Sequence, residues 1–271
     1  MKKLIVIDLD GTALHDEHDL NPSSKQALIA AKNAGHTVVI ATGRSLRDSL
    51  HYYKELELDT PIINVNGAYL HHPTNENFTE IVEHLSIDLI SDIMDSEIGD
   101  YLLNVVCEYK DHLYILKKDE DFALWMYAQN CDSLTSGDLA SAPFSHCTRF
   151  ILKILPGKES HVQDFLIRKY PDQFSFYQWS LGDQLVFELS KGGINKGTAI
   201  AHLADQLGFL PEDIIVFGDG TNDIEMLTFA GTGVAMANAH HQLLAIANAT
   251  TLANTEGGIA HYLNEHVLKK I

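Results

Sequence analysis

Lys3-Leu-Ile-Val-Ile-Asp8-Leu-Asp10-Gly11-Thr12 opens the chain and decides how the rest of it is read. The apolar run Leu4 to Ile7 reads as a strand buried on both faces, and it ends at two aspartates that flank one leucine. In extended backbone, residues i and i+2 point the same way, so Asp8 and Asp10 present carboxylates to one site while Leu9 turns back to the core. Gly11 then permits a sharp turn. Two like charges this close repel, which calls for a cation between them or a proton kept on one. The same letters also make an ordinary strand followed by an Asp/Gly turn, so later residues must decide.

The 271 residues, 45% hydrophobic, suffice for one large core or two modest ones. A formal charge of −18, from 37 acidic against 19 basic residues, argues against nucleic acid or an anionic membrane as principal partner. An anionic substrate must therefore be held by a few local cations. Cys107, Cys131 and Cys147 form no C-x-x-C pair, and an odd number without a signal peptide fits free thiols in a reducing cytoplasm. The apolar part of Met1 to Ile7 is too short for an export signal. Phe229 to Thr255 lacks Asp, Glu, Lys and Arg, but its Asn, His, Gln and Thr residues make it too polar to span a bilayer.

After the opening strand, Asn21 as N-cap and Pro22 start a helix that runs to about Asn33 and stops at Gly35. His36 to Ala41 reads as a strand ending in Thr42-Gly43-Arg44, a helix follows to about Leu56, and Pro61 to Val65 reads as a third strand. This alternation predicts a parallel sheet with helices on its faces. From about Ile81 to Glu188 the texture changes to strands at 101–106, 112–116, 149–155, 174–178 and 184–188, with helices at 87–96, 121–129 and 158–169. That pattern suits an antiparallel sheet covered on one side. The first texture then returns: a helix from Lys196 to Leu207, a strand at 214–217, a helix at 223–229 and a strand at 233–235. The expectation is an α/β protein with a doubly wound, Rossmann-like core from residues 1–80 and 189–271, into which an α+β cap of residues 81–188 is inserted.

In open parallel sheets ligands bind beyond the carboxyl ends of the strands, near the point where strand order reverses. Asp8 and Asp10, Thr42-Gly43-Arg44, and Gly218-Asp219-Gly220-Thr221-Asn222-Asp223 all follow predicted strands, and Lys196 begins a helix after Gly192-Gly193. Asp8, Asp219 and Asp223 are hard oxygen ligands of the kind Mg²⁺ takes. Thr42 offers a hydroxyl, Gly43 a main-chain N–H and Lys196 a point charge for phosphate oxygens. With no His paired to Ser or Cys in these motifs, the candidate nucleophile is a carboxylate, Asp8 being the better placed.

Together, Asp8-Leu-Asp-Gly-Thr12, Thr42-Gly-Arg44, Lys196 and Gly218-Asp-Gly-Thr-Asn-Asp223 resemble, in order and spacing, the four motifs of the haloacid dehalogenase-like phosphohydrolases. The insert, with Asn66-Gly67-Ala68, Gly192-Gly193-Ile-Asn-Lys196 and Ala235-Met-Ala-Asn-Ala239, resembles the Cof-type branch with its large αβ cap. The resemblance implies a phosphatase in which Asp8 attacks phosphorus to form an aspartyl-phosphate. It implies that Asp10 protonates the leaving oxygen and then activates water, which calls for a pKa near neutrality. Thr42, Gly43 and Lys196 would hold phosphoryl oxygens. Mg²⁺ would sit on the Asp8 side chain, the Asp10 carbonyl and Asp219, with Asp223 orienting that shell. Arg44, Asn66 and Asn222 are candidate substrate contacts. The implied substrates are small phosphorylated metabolites, such as sugar phosphates, flavin mononucleotide or pyridoxal phosphate. A phosphosugar mutase and a non-catalytic module that binds phosphometabolites are the competing readings.

Other motifs are weaker. His15/His18, His71/His72 and His240/His241 lack the spacing of zinc sites, Gly231-Thr-Gly233 lacks the third glycine of a dinucleotide fingerprint, and no glutamate closes a calcium loop after Asp8. Trp125, Tyr127, Phe174, Phe176, Tyr177 and Trp179 are read as cap core, or as the lining of a substrate pocket.

Overall fold

The computed structural model describes residues 2–16, 18–121, 130–181 and 184–268. In chain order it begins with β1 (Leu4–Ile7), α1 (Pro22–Asn33), β2 (Thr37–Ile40), α2 (Leu46–Glu55), β3 (Ile62–Asn64), β4 (Tyr69–His71) and β5 (Ile81–Val82). Next come β6 (Leu85–Ser86), α3 (Ile87–Met94), β7 (Leu102–Tyr109), β8 (His112–Ile115), β9 (Ser133–Ser136), β10 (His146–Cys147), β11 (Arg149–Ile154), α4 (Glu159–Lys169), β12 (Phe174–Leu181) and β13 (Gln184–Lys191). The chain closes with α5 (Lys196–Leu207), β14 (Ile214–Gly218), α6 (Ile224–Phe229), β15 (Thr232–Ala235), α7 (His241–Ile246), β16 (Ala249–Thr250) and α8 (Gly258–His266). Two units result: the described parts of 1–44, 49–81 and 195–271, and the described parts of 45–48 and 82–194.

The first unit is built on a parallel sheet in the order β16-β15-β14-β1-β2. All four residues of β1 are buried because helices cover both faces. Ile5 and Ile7 pack with Leu28, Tyr52 and Leu263, whereas Leu4 and Val6 pack with Ile200, Leu203 and Leu227. Local signals set the helix ends. The Asn21 side chain accepts from the Ser23 and Ser24 amides at the start of α1. Asn195 and Thr198 form a reciprocal capping box at the start of α5, and left-handed Gly208 ends that helix. β3 departs from expectation. It pairs antiparallel with β4 and meets the parallel layer through an Ala41 to Ile63 bridge, because the turn at Val65–Gly67 reverses the chain at once.

The second unit carries a six-stranded sheet, β12-β13-β11-β7-β8-β9. Its pairs are antiparallel except β8 with β9, which run parallel, a pairing allowed by the long connection from Ile115 to Ser133. One face of the sheet packs on α3 and α4 through Ile90, Ile93, Val162 and Leu166, with Phe174 and Phe176 alongside, while Trp179 packs on the opposite face with Val106, Ile151 and Val186. The helix expected at 121–129, with Trp125 and Tyr127, falls almost wholly outside the described residues.

A buried ionic cluster ties this unit's strands together. Glu108 of β7 accepts from Arg149 of β11 at 3.0 Å, Arg149 donates to Glu188 of β13 at 2.8 Å, and Arg47 donates to Glu108 at 3.1 Å. Burial pushes the Glu108 carboxyl up, but the charges of Arg149 and Arg47 outweigh it and hold the group below its ordinary value of 4.5. Glu108→Ala takes one carboxylate partner from each of two buried guanidinium groups, Arg149 keeping Glu188 and Arg47 keeping Asp111, and is expected to cost about 1.5–3 kcal/mol in thermal unfolding near neutral pH. Because the folded pKa is depressed, the stabilisation is present above pH 4.5 and lost as pH falls through the folded value. The gap between wild type and Glu108→Ala should therefore narrow in acid.

Candidate active site

Every residue of the site lies in the first unit. β1 is flanked by β2 on one side and β14 on the other, so strand order reverses beside it and three neighbouring strands end together. Asp8 follows β1, Thr42 lies just beyond β2, Asp219 follows β14, and Asp223 immediately precedes α6. Lys196, the first residue of α5, enters the same space.

Carboxylate oxygens of Asp8, Asp219 and Asp223 all lie within 4.8 Å of one another. The fully buried Lys196 ammonium donates to Asp8 Oδ1 and Asp223 Oδ1, each at 2.6 Å. The other Asp223 oxygen accepts from the Asp219 and Gly220 amides at 2.9 and 3.0 Å, which locks the loop after β14. Thr12 Oγ1 donates to Asp219 Oδ1 at 2.7 Å. Gly11, at φ +68°, passes so close to the Asp219 carboxylate that a Cβ there would collide with it.

The electrostatics follow from burial. Asp8 is 4% exposed, and its pKa is raised well above the ordinary value. Desolvation is the main cause, the charges of Asp223, Asp219 and Asp10 add to it, and Lys196 opposes it. The Asp219 carboxyl is pushed up to about 6, chiefly by burial and also by Asp223 and Asp10, against the Thr12 hydrogen bond and Lys196. Burial alone would lower the Lys196 pKa, but Asp223 and Asp8 reverse the sign and raise it. Three carboxylates against one ammonium leave two negative charges in the pocket, and the donors are all hard oxygens. That set fits a small divalent cation.

Asp10 stands apart from this trio, with its side chain 55% exposed. It accepts a two-pronged pair from Arg44, Nε to Oδ2 at 3.0 Å and an NH2 to Oδ1 at 2.5 Å. Thr42 is buried, and its Oγ1 accepts from the Arg44 amide at 3.1 Å, which leaves its own O–H to donate elsewhere. Asn66 is 4% exposed and accepts from Asn222 at 2.9 Å.

The sequence-derived residues thus assemble on one edge, but with partners not foreseen. Lys196, expected on phosphoryl oxygens, is paired with Asp8 and Asp223. Arg44, expected on substrate, is paired with Asp10, and Asn66 and Asn222 with each other. The Asp10 side chain is not among the three clustered carboxylates. Sequence reasoning gave no role to Thr12, whose place at the end of the Asp-x-Asp-Gly-Thr run was the available signal. It also missed Asn238, which donates to the Gly11 carbonyl at 2.8 Å from within the Ala235–Ala239 segment, and Asn64, buried at the end of β3.

Residues 5–263 match the model of the haloacid dehalogenase-like hydrolase family. The 5-amino-6-(5-phospho-D-ribitylamino)uracil phosphatase YitU of Bacillus subtilis is 34% identical over 263 residues, which covers 97% of each chain. The pyridoxal phosphate phosphatase YbhA of Escherichia coli is 29% identical, with 98% of this chain and 99% of the relative covered. A solved haloacid dehalogenase-like hydrolase from B. subtilis superposes with a TM-score of 0.78 at 27% identity, over 98% of this chain and 99% of that one. A strand-end edge of clustered aspartates, a match along nearly the whole chain and a shared fold lead to one conclusion: the chain belongs to the haloacid dehalogenase-like hydrolases.

Proposed function

We propose that this enzyme is a phosphatase that hydrolyses phosphate monoesters of small metabolites, sugar phosphates or phosphorylated cofactors, with Asp8 as nucleophile and Asp10 as acid and base. The observation that carries the reading is the Asp8 carboxylate held at 2.6 Å by Lys196, beside Asp219, Asp223 and the Thr42 turn. Two relatives named for phosphorylated small molecules support the substrate class. In a chain this acidic, Lys196 and Arg44 are the local cations able to offset a phosphate dianion.

The placement supports the following chemistry. An Asp8 oxygen attacks phosphorus, the bond to the ester oxygen breaks, and Asp10 gives that oxygen a proton. Asp10 then takes a proton from water, whose oxygen attacks the same phosphorus, releasing inorganic phosphate and restoring the Asp8 carboxylate. The Thr42 hydroxyl and Gly43 amide hold the equatorial oxygens, and Lys196 keeps Asp8 oriented and offsets charge that develops on transfer. Asp8, Asp219 and Asp223 would hold Mg²⁺, which supplies the neutralising charge that lets an anionic nucleophile meet an anionic ester.

Phosphate release from a panel of sugar phosphates, flavin mononucleotide, pyridoxal phosphate and 4-nitrophenyl phosphate should require Mg²⁺ and stop in EDTA. Asp8→Asn should abolish release while the protein remains folded. Asp10→Asn should lower it by about 10²–10⁴ and leave weak turnover. No release from folded wild type across the panel, or turnover by Asp8→Asn, would sink the reading.

Lys196→Met leaves two buried carboxylates without their cation and is expected to lower stability by about 3–5 kcal/mol near neutral pH. The deficit should shrink on acidification, because Asp8 and Asp219, both with raised pKa values, neutralise the repulsion by taking up protons. Thermal melts of metal-free protein across pH check this.

A further inference from the structure

The Thr42–Arg44 turn is gripped by main-chain and side-chain groups at the end of β3. The Thr42 amide donates to the Ile63 carbonyl at 2.9 Å, the Asn66 amide to the Thr42 carbonyl at 3.1 Å, and the Val65 amide to the Arg44 carbonyl at 3.1 Å. That carbonyl also receives the Asn64 side-chain amide at 3.0 Å. Fully buried Asn64 gives its second N–H to Ser49 Oγ at 2.8 Å, so its Oδ1 is turned the other way, toward His71 Nε2 at 3.1 Å. An amide oxygen only accepts, so His71 carries its proton on Nε2. Asn64 and His71 are diagonal neighbours on the β3–β4 hairpin, since Asn64 stands opposite Tyr69 and Ile62 opposite His71. The His71 ring is stacked on Tyr69, with centroids 3.9 Å apart and planes 7° from parallel.

The turn that brings these groups together adopts an uncommon backbone. Val65 and Asn66 both have φ +51° and Gly67 has φ +104°. β-Branched Val65 adopts the left-handed region only where surrounding structure imposes it. Gly67 passes against the Asn195 carbonyl so closely that no Cβ fits. Tight packing on both sides of the turn thus sets where the Val65 and Asn66 amides point, and both point at the Thr42–Arg44 turn.

We infer that Asn64 and His71 are positioning residues for phosphate binding: His71 orients the Asn64 amide, which clamps the Arg44 carbonyl and so aims the Thr42 hydroxyl and Gly43 amide. This inference rests on the proposed phosphatase reading. The pair touches no substrate. It acts on binding of the phosphoryl group in ground and transition states alike, so its loss raises KM more than it lowers kcat.

The test uses full-length Asn64→Ala, His71→Ala and His71→Gln, assayed with 4-nitrophenyl phosphate and with orthovanadate as inhibitor. Asn64→Ala and His71→Ala should raise KM and the vanadate inhibition constant by about tenfold, the worth of one buried hydrogen bond, with kcat within about threefold of wild type. His71→Gln, whose amide can still donate to Asn64, should restore most of the loss. Tyr53→Phe removes a part-buried hydrogen bond to the Thr60 carbonyl elsewhere in the same unit and should lower the melting temperature without moving KM. If Asn64→Ala does not fold, the two His71 variants decide alone. Wild-type turnover with unchanged KM in the folded variants overturns the positioning pair only. No turnover and no vanadate effect in wild type overturns the phosphatase reading, and the pair with it.

Discussion

Crowding three carboxylates into one largely buried edge is the constraint on which the first unit depends. Within 4.8 Å of one another, buried Asp8 and Asp223 and half-buried Asp219 repel, and for Asp8 and Asp219 burial drives the pKa upward. Lys196 is the protein's internal answer. Its ammonium reaches both Asp8 and Asp223, which reverses the effect of its own burial. Two negative charges remain over, and this residual imbalance, rather than any single ligand, is what makes the edge fit a divalent cation.

The geometry that creates the crowding comes from strand order. Because β1 lies between β2 and β14, three strand ends far apart in sequence deliver their polar loops to one edge. Each loop is then stiffened differently. After β1, Gly11 folds tightly against Asp219. After β14, Asp223 accepts from two amides of its own loop. The Thr42 turn is held from outside by β3 and the left-handed residues after it, a conformation that costs on the order of 1–3 kcal/mol per strained residue. Strain at this point is consistent with a backbone whose amides must point in one direction.

The second unit uses charge in another way. Glu108, Arg149 and Glu188 sit on three adjacent strands with almost no exposure, and their pairing ties the strands in register at a buried position where an unpaired charge would be strongly disfavoured. Apolar alternation sets which face of each strand is covered by helices. The aromatic residues divide accordingly: Phe174 and Phe176 lie on the helix-covered face, and Trp179 lies opposite, under the Arg149 guanidinium.

Much of this was legible in the sequence, for local reasons. An apolar run ending in Asp-x-Asp-Gly reports a buried strand and its turn, Asn21-Pro22 and Asn195-Lys196 report helix starts, and the spacing of strand-end polar residues reports a shared edge. These signals act within a few residues, where backbone geometry and side-chain hydrogen bonds leave little choice. The sequence by itself thus determined the layered α/β core, the cluster of aspartates and the candidate nucleophile. Tertiary structure decided who pairs with whom. The Lys196 bridge between Asp8 and Asp223, the Arg44 grip on Asp10, the return of β3 through a left-handed turn and the Asn64–His71 link join residues brought close by packing, and no local pattern encodes those contacts. Periodicity states which face of an element is covered; only the folded chain sets which charged group meets it there.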